Sequence, residues 1–268
     1  MRLLLLFAAL ALGGTIQPGW AQTTPGGGSQ NAPVVVELFT SQGCASCPPA
    51  DAFIGELAKL PDVIALALHV DYWDYLGWKD TFATPKYSAR QKAYAKRAGS
   101  RTIFTPQIVV QGADRVKGHD INQVRSAIDA HRNRKAGVQL GVAREGGMVR
   151  IDVAPRARPP LAPPATAMSL IPAAPDLAPS PLPSRTSSTP LSVHVVTYRP
   201  SESVAIGGGE NAGRAIDYAN IVTSWETVAD WDGAAPMQIV YRVPQPGPLA
   251  VIVQEAKIGP VLAAASVP

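Results

Sequence analysis

The chain has 268 residues, 46% hydrophobic and 16% charged, which leaves room for a buried core in one large domain or two modest ones. The formal charge is +4 and the pI about 9.1. Lys and Arg are scattered, with no basic run interleaved with aromatics, so the excess reads as a mildly basic solvated surface and no nucleic-acid partner is expected. At the N-terminus, Arg2 precedes an unbroken apolar run from Leu3 to Leu12, and Gly19-Trp20-Ala21 places small residues where a signal peptidase cuts. So short a run cannot cross a bilayer core of ~30 Å. The pattern predicts a secretory signal peptide over residues 1–21, with a retained N-terminal anchor as the alternative. An exported, periplasmic or secreted, mature chain with no membrane span after cleavage follows.

Residues 22–32 are rich in Gly, Thr, Pro, Gln and Asn and read as a flexible tether. Val34 to Phe39 is near-continuously apolar, as in a strand buried on both faces. Pro48 and Pro49 suit a first helical turn, where no amide donor is needed. Phe53, Ile54, Leu57 and Leu60 then share one helical face up to Pro61. Val63 to Val70 is a second buried strand, followed by an aromatic loop with Tyr72, Trp73, Tyr75 and Trp78. A helix is expected over 87–98 and a strand over 108–110. After the turn at Gly112 come a short return strand over 115–117 and a helix through Ile121, Val124, Ile128 and His131, capped by Asp120. The order β-α-β-α-β-β-α is that of an α/β layer domain, placed at 33–135.

Beyond residue 136 the texture changes to period-two alternation. Val138, Leu140 and Val142 alternate with polar or small neighbours. So do Val149, Ile151 and Val153 across the Glu145-Gly146-Gly147 turn, then Met237 to Val243, then Leu249 to Val253. This predicts a mostly antiparallel, sandwich-like β domain over 136–268. It is interrupted by a Pro-rich, disordered insert over 155–190 that holds 11 of the chain's 26 prolines. Gly207-Gly208-Gly209 lacks the spacing of a phosphate loop and reads as a hairpin turn.

The chemistry lies in Gly43-Cys44-Ala45-Ser46-Cys47, between a strand and a helix. Two intervening residues let the sulfurs meet across the first helical turn. The first thiol then sits beside unpaired amides at the positive end of the helix, which favours its thiolate, the nucleophile of disulfide exchange. Such settings bring cysteine pKa values down to roughly 3.5–7.5. Cys44 is the candidate attacking thiol and Cys47 the resolving one. Three other uses of the pair stay open. It is a structural staple, though one closing too short a loop to restrain the unfolded chain much. It is half of a zinc site, though His69, His119, His131 and His194 show no paired ligand spacing. Or it captures copper(I), with or without His69.

Together with Thr105-Pro106 ahead of the next strand, Cys44-Ala45-Ser46-Cys47 resembles the thioredoxin superfamily. Within it the stretch Val36 to Asp51 resembles the signature of a family of secreted proteins, domain of unknown function 1223. His69-Val70-Asp71-Tyr72-Trp73-Asp74, Thr105-Pro106-Gln107 and Gly209-Glu210-Asn211-Ala212-Gly213-Arg214 also look like that family's motifs. The resemblance implies a thioredoxin-like fold for the first domain, a cis Pro106 beside the dithiol, and Thr105 aligning an extended substrate. Two features depart from it. The Pro-rich insert is peculiar to this chain, and Gly43 and Ala45-Ser46 stand where thioredoxins proper have a tryptophan and Gly-Pro.

Glu37, seven residues before Cys44, is a carboxylate in an apolar strand, which is costly without a purpose or a partner. It is expected either to lie beneath the helix and move protons to and from Cys47, or to point out or pair with a cation such as Lys59. His69, Asp71, Tyr72 and Trp73 follow the end of a strand, where α/β sheets bind ligands, and are the candidate substrate-binding wall; a loop packed over the sheet edge is the other reading. The combined expectation is an exported thiol–disulfide oxidoreductase acting on protein or small-molecule thiols and disulfides. It would use Cys44, Cys47, Thr105, Pro106 and Glu37, with no metal and no cofactor beyond its own disulfide. A non-enzymatic periplasmic binding module is the alternative.

Overall fold

The computed structural model describes residues 32–156 and 189–268. The signal peptide, most of the tether and the bulk of the Pro-rich insert lie outside these residues. The elements, in order, are β1 (Val34–Thr40), α1 (Pro48–Leu57), β2 (Val63–His69), α2 (Pro85–Arg97), β3 (Gln107–Val110), β4 (Asp114–Lys117), α3 (Ile121–Arg132), β5 (Val138–Glu145), β6 (Met148–Pro155), β7 (Leu191–Ala205), β8 (Ala215–Trp231), β9 (Met237–Arg242), β10 (Leu249–Glu255) and β11 (Val261–Val267).

Local chemistry explains the helix ends. Pro48 and Pro49 open α1. Pro85 follows the N-cap Thr84, whose hydroxyl accepts from the Lys86 amide, at the start of α2. The Asp120 carboxylate caps α3 by accepting from the Gln123 amide at 3.0 Å. Phe53, Ile54 and Leu57 are buried, each stabilising the fold by roughly 1.5–3 kcal/mol relative to exposure. Helix α1 ends at Leu57, one residue short of the Ala58 cap and ahead of the expected Leu60.

The expected fold class, a separate thioredoxin-like α/β domain followed by a sandwich-like β domain, is not what the chain forms. It folds as a mostly β protein around one eight-stranded mixed sheet in the order β11-β10-β7-β8-β2-β1-β3-β4, with three α-helices among the described residues. Strands β1 and β2 are parallel and in register from Val34↔Val63 to Thr40↔His69. Most of the antiparallel strands of the C-terminal half do not make a sheet of their own. Strand β8 joins β2 in parallel at Ala67↔Ile221, and β7, β10 and β11 extend the same sheet outward. Only β5, β6 and β9 form a second, three-stranded sheet. The physical reason is that alternation reports which face of a strand is buried, not which neighbour completes its ladder.

On one face of the large sheet, α1 and α3 cover Val34, Val36, Leu38, Ile108 and Val110. Farther along that sheet, the three-stranded sheet packs on Val193, Val195, Val251 and Val253. Helix α2 lies against Val35, Phe39, Leu66, Val196, Ala250 and Ile252, the alternate residues of the same strands. Its Arg90 binds the two halves of the sheet together: the guanidinium bonds Glu37 of β1 and Gln254 of β10 and stacks over Trp225 of β8 at 3.6 Å.

Candidate functional site

The carboxyl ends of β1 and β2 and the start of β3 converge at one end of the sheet, where Thr40 pairs with His69 and Phe39 with Gln107. The dithiol loop leaves β1 there. Cys44 and Cys47 form a disulfide at the start of α1, where Cys47 is the N-cap residue. Both sulfur-bearing residues are buried, Cys44 at 1% and Cys47 at 0% exposure, while Ala45 and Ser46 between them are exposed. The Ser46 hydroxyl lies 3.5 Å from the Cys44 sulfur and, because a disulfide sulfur carries no hydrogen, is the donor.

The loop's backbone is gripped from three sides. From below, Asp80 Oδ2 accepts from the Gln42 amide at 2.8 Å and pairs with His69 Nδ1 at 2.8 Å. Burial works to raise the Asp80 carboxyl, but His69 and the amides of Gln42 and Phe82 outweigh it and hold it below its usual range. From one flank, the Gln42 side chain accepts from the Trp78 indole at 2.8 Å, and Gly43 lies against Trp73, whose indole donates to Thr105 Oγ1 at 2.8 Å. From above comes the tip of the β7–β8 hairpin. The Asn211 amide donates to the carbonyls of Gln42 and Cys44, both at 2.9 Å, and the Glu210 carboxylate accepts from the Ala45 amide at 3.0 Å.

Several of the residues singled out in the sequence therefore do meet. Trp73 links the dithiol loop to Thr105, and the Thr105–Pro106 peptide is cis. His69 is fully buried beneath the loop. Asp71 and Tyr72 turn toward α2 instead: Ser88 Oγ donates to Asp71 Oδ1 and Tyr72 OH donates to Gln91 Oε1 at 3.1 Å. Burial pushes the Tyr72 phenol up to about 12, so it remains a donor.

Glu37 does not lie beneath α1. Successive strand residues face opposite ways, so Glu37 shares the α2 face with Val35 and Phe39 while α1 packs on Val36 and Leu38. Its partner is Arg90 rather than Lys59, in a two-point pair at 2.6 and 2.9 Å. The acid on the α1 side is Asp51, one helical turn beyond Cys47 and on the same face. Asp51 is 3% exposed, and its Oδ1 accepts from Thr40 Oγ1 at 2.7 Å. Burial raises its carboxyl to about 7 against the opposing pull of His69 and Thr40. Asp51 Oδ2, His69 Nε2 and Tyr218 OH are buried polar atoms without a hydrogen-bond partner among the described residues.

Sequence reasoning missed Asp51, Asp80, Gln42, Glu210 and Asn211 as site residues. Asp51 carried a readable signal: a carboxylate among the buried positions of an apolar helix, four residues after a cysteine. Glu210 and Asn211 were legible only as members of a family-like motif, with nothing local to tie them to the dithiol, because only the hairpin brings Asn211 across 167 residues to Cys44. Among the described residues, no cluster of three or more His, Cys, Asp and Glu side chains is arranged to hold a metal ion, and no helix is long and apolar enough to cross a membrane.

Fold and site together define a mostly β protein whose large mixed sheet presents a buried Cys-x-x-Cys disulfide at a helix start, closed over by a long hairpin. The chain belongs to the family described as protein of unknown function DUF1223, whose family model matches residues 35–178 and 177–254. It is similar to a protein of Agrobacterium tumefaciens known from an X-ray crystal structure, with 28% identity and a TM-score of 0.67, over 89% of this chain and 96% of that one. HBP35 of Porphyromonas gingivalis shares the fold at 12% identity and a TM-score of 0.52, over 90% of this chain and 76% of that one. No curated protein matches the chain.

Proposed function

We propose that this protein is an exported thiol–disulfide oxidoreductase whose working group is the Cys44–Cys47 pair. The observation that carries this reading is the disulfide at the start of α1, with Ser46 Oγ directed at the Cys44 sulfur. In the reduced form, the positive end of the α1 dipole and the Ser46 hydroxyl would stabilise a Cys44 thiolate. That thiolate attacks one sulfur of a substrate disulfide; the other sulfur leaves as a thiolate and is protonated. Cys47 then loses its proton and attacks the Cys44 sulfur of the mixed disulfide. The second substrate thiolate departs, and two electrons have passed from the protein dithiol to the substrate. The reverse sequence oxidises a substrate dithiol.

Asp51 is the group we assign to the Cys47 proton. It stands one turn along the same helix face, and burial brings its carboxyl to about 7, where it can both accept and return a proton near neutral pH. Thr105 and Trp73 would form the wall along which an extended substrate segment lies. Export rests on the apolar N-terminal run and its small-residue cleavage pattern.

One observation favours a second reading. Both cysteines are almost fully shielded, as in a disulfide that staples a partner-binding scaffold. The reduction potential separates the two readings. A reversible couple between about −120 and −270 mV in glutathione and dithiothreitol buffers is expected of an exchange catalyst. A pair that reduces only below about −300 mV, or only on unfolding, would overturn the catalytic reading in favour of the staple. With a model disulfide substrate, Cys47→Ser is expected to accumulate a mixed disulfide at Cys44, and Cys44→Ser to form none.

A further inference from the structure

The stretch Gly209-Glu210-Asn211-Ala212-Gly213-Arg214 stands out in the sequence only as a family-like motif next to the Gly207-Gly208-Gly209 turn, yet in the fold its Glu210 and Asn211 side chains hold the dithiol loop. We infer that the tip of the β7–β8 hairpin is the positioning element of the dithiol, with Asn211 fixing the loop that carries Cys44 and Glu210 setting how acidic the Cys44 thiol is. The inference rests on the reading of Cys44 as the attacking thiol.

Three observations carry it. Asn211 is 1% exposed, and its amide spans Gly43, donating to the carbonyls on either side of it. Its own carbonyl is held by Arg214 Nη1 at 3.0 Å, so its orientation is determined at both ends. Second, the tip fits closely against the loop that approaches from the other side. A Cβ on Gly208 would meet the Gly77 carbonyl oxygen at 2.7 Å, and one on Gly207 would meet the Trp78 ring at 3.0 Å. These two glycines therefore permit a close approach, beyond any need of a turn.

Third, the Glu210 carboxylate accepts from the Ala45 amide, the first amide after Cys44. A thiolate on Cys44 would have this second negative charge held on the neighbouring residue, which disfavours the ionised thiol. The other charged groups around the loop are Arg214 on the tip, Asp51 on α1, and His69 and Asp80 beneath Gln42. Among the described residues, Glu210 is the charged side chain bonded to the two residues between the cysteines. The tip thus restrains the dithiol twice, by holding its backbone and by opposing its ionisation.

The test is the pH dependence of Cys44 alkylation by iodoacetamide in the reduced full chain, read by mass spectrometry in the wild type, Glu210→Gln, Glu210→Asp and Asn211→Ala. Glu210→Gln is expected to lower the titration midpoint by about half a pH unit, the size of one solvent-exposed charge interaction, and to leave the limiting rate at high pH unchanged. Glu210→Asp is expected to keep the wild-type midpoint. Asn211→Ala is expected to raise the limiting rate several-fold through a loosened loop. If it does not fold, Arg214→Gln, which releases only the Asn211 carbonyl, is expected to raise that rate to a lesser degree. An unchanged midpoint in Glu210→Gln, or limiting rates equal to wild type in the Asn211 and Arg214 variants, would overturn the inference. The midpoint is measured after forced reduction whether or not the couple is reversible, so failure of the exchange reading shows separately, in the potential.

Discussion

Replacing Arg90 with methionine is expected to destabilise the protein by about 3–5 kcal/mol, the cost of breaking a buried ion pair from one side. Glu37 is fully buried and the Arg90 side chain only 8% exposed. The guanidinium donates twice to the carboxylate, and Tyr94 OH donates to Glu37 Oε1 at 2.6 Å. Burial pushes the Tyr94 phenol far above its usual range, so it stays a neutral donor and cannot replace the lost cation. Methionine preserves much of the side-chain volume, which keeps the effect electrostatic rather than one of cavity formation. The same change removes the bond to Gln254 and the stack on Trp225, so the loss falls where β1, β8 and β10 meet. Urea denaturation of the wild type, Arg90→Met and the Arg90→Met/Glu37→Gln double variant checks this. The double variant, with no charge left to strand, is expected to recover a large part of the loss. A single-variant effect below about 1 kcal/mol, in the range of surface pairs, would show that the pair adds little to the fold.

The second large effect is pH-dependent. Burial raises the Asp51 carboxyl from 3.8 to about 7, so between these values the folded protein holds a proton that the unfolded chain has released. Unfolding therefore releases protons in this window, and stability falls as pH rises through it, by up to about 1.4 kcal/mol per pH unit from this group. The contribution is fully present below about pH 4 and gone above about pH 7. Asparagine has nearly the same shape, keeps an oxygen to accept from Thr40, and does not titrate. Asp51→Asn is accordingly expected to be more stable than the wild type at pH 8, and the advantage is expected to shrink steadily toward pH 4. Denaturation curves across pH 4–8 measure the difference. Parallel pH profiles for the two proteins would show that Asp51 is solvated rather than desolvated. In exchange assays the same variant is expected to slow the Cys47 step near neutral pH, where a proton acceptor matters most.

Much of the architecture is legible in the chain itself. The near-continuous apolar runs of β1 and β2 demanded strands covered on both faces. Pro48, Pro49 and Asp120 marked helix starts, and the spacing of Val124, Ile128 and His131 marked one buried helix face, although Ile121, expected on it, is exposed at the first turn. Alternation revealed β5, β6, β9 and β10. The Cys-x-x-Cys between a strand and a helix located the candidate site, because local geometry alone brings two cysteines three positions apart together at a helix start. These are short-range constraints, set by sterics, periodicity and backbone hydrogen bonding within about a dozen residues.

What the tertiary structure decided is which elements meet. Nothing local in Ile221 says that its strand will lie beside Ala67, yet that pairing merges two expected domains into one sheet. Whether Glu37 faced a cysteine or a cation depended on which face α2 covered, and Arg90 answers from 53 positions away. Asn211 and Glu210 reach the dithiol only because β7 and β8 are long enough to carry their turn across α1. Burial of a polar side chain is tolerated when distant groups satisfy it, and those partners are chosen by the packing of whole elements. The residues of this chain determined by themselves the strands β1 to β6, β9 and β10, the helix caps and the cysteine pair; β7, β8 and β11, and the neighbours that hold and shield that pair, exist only once the large sheet has formed.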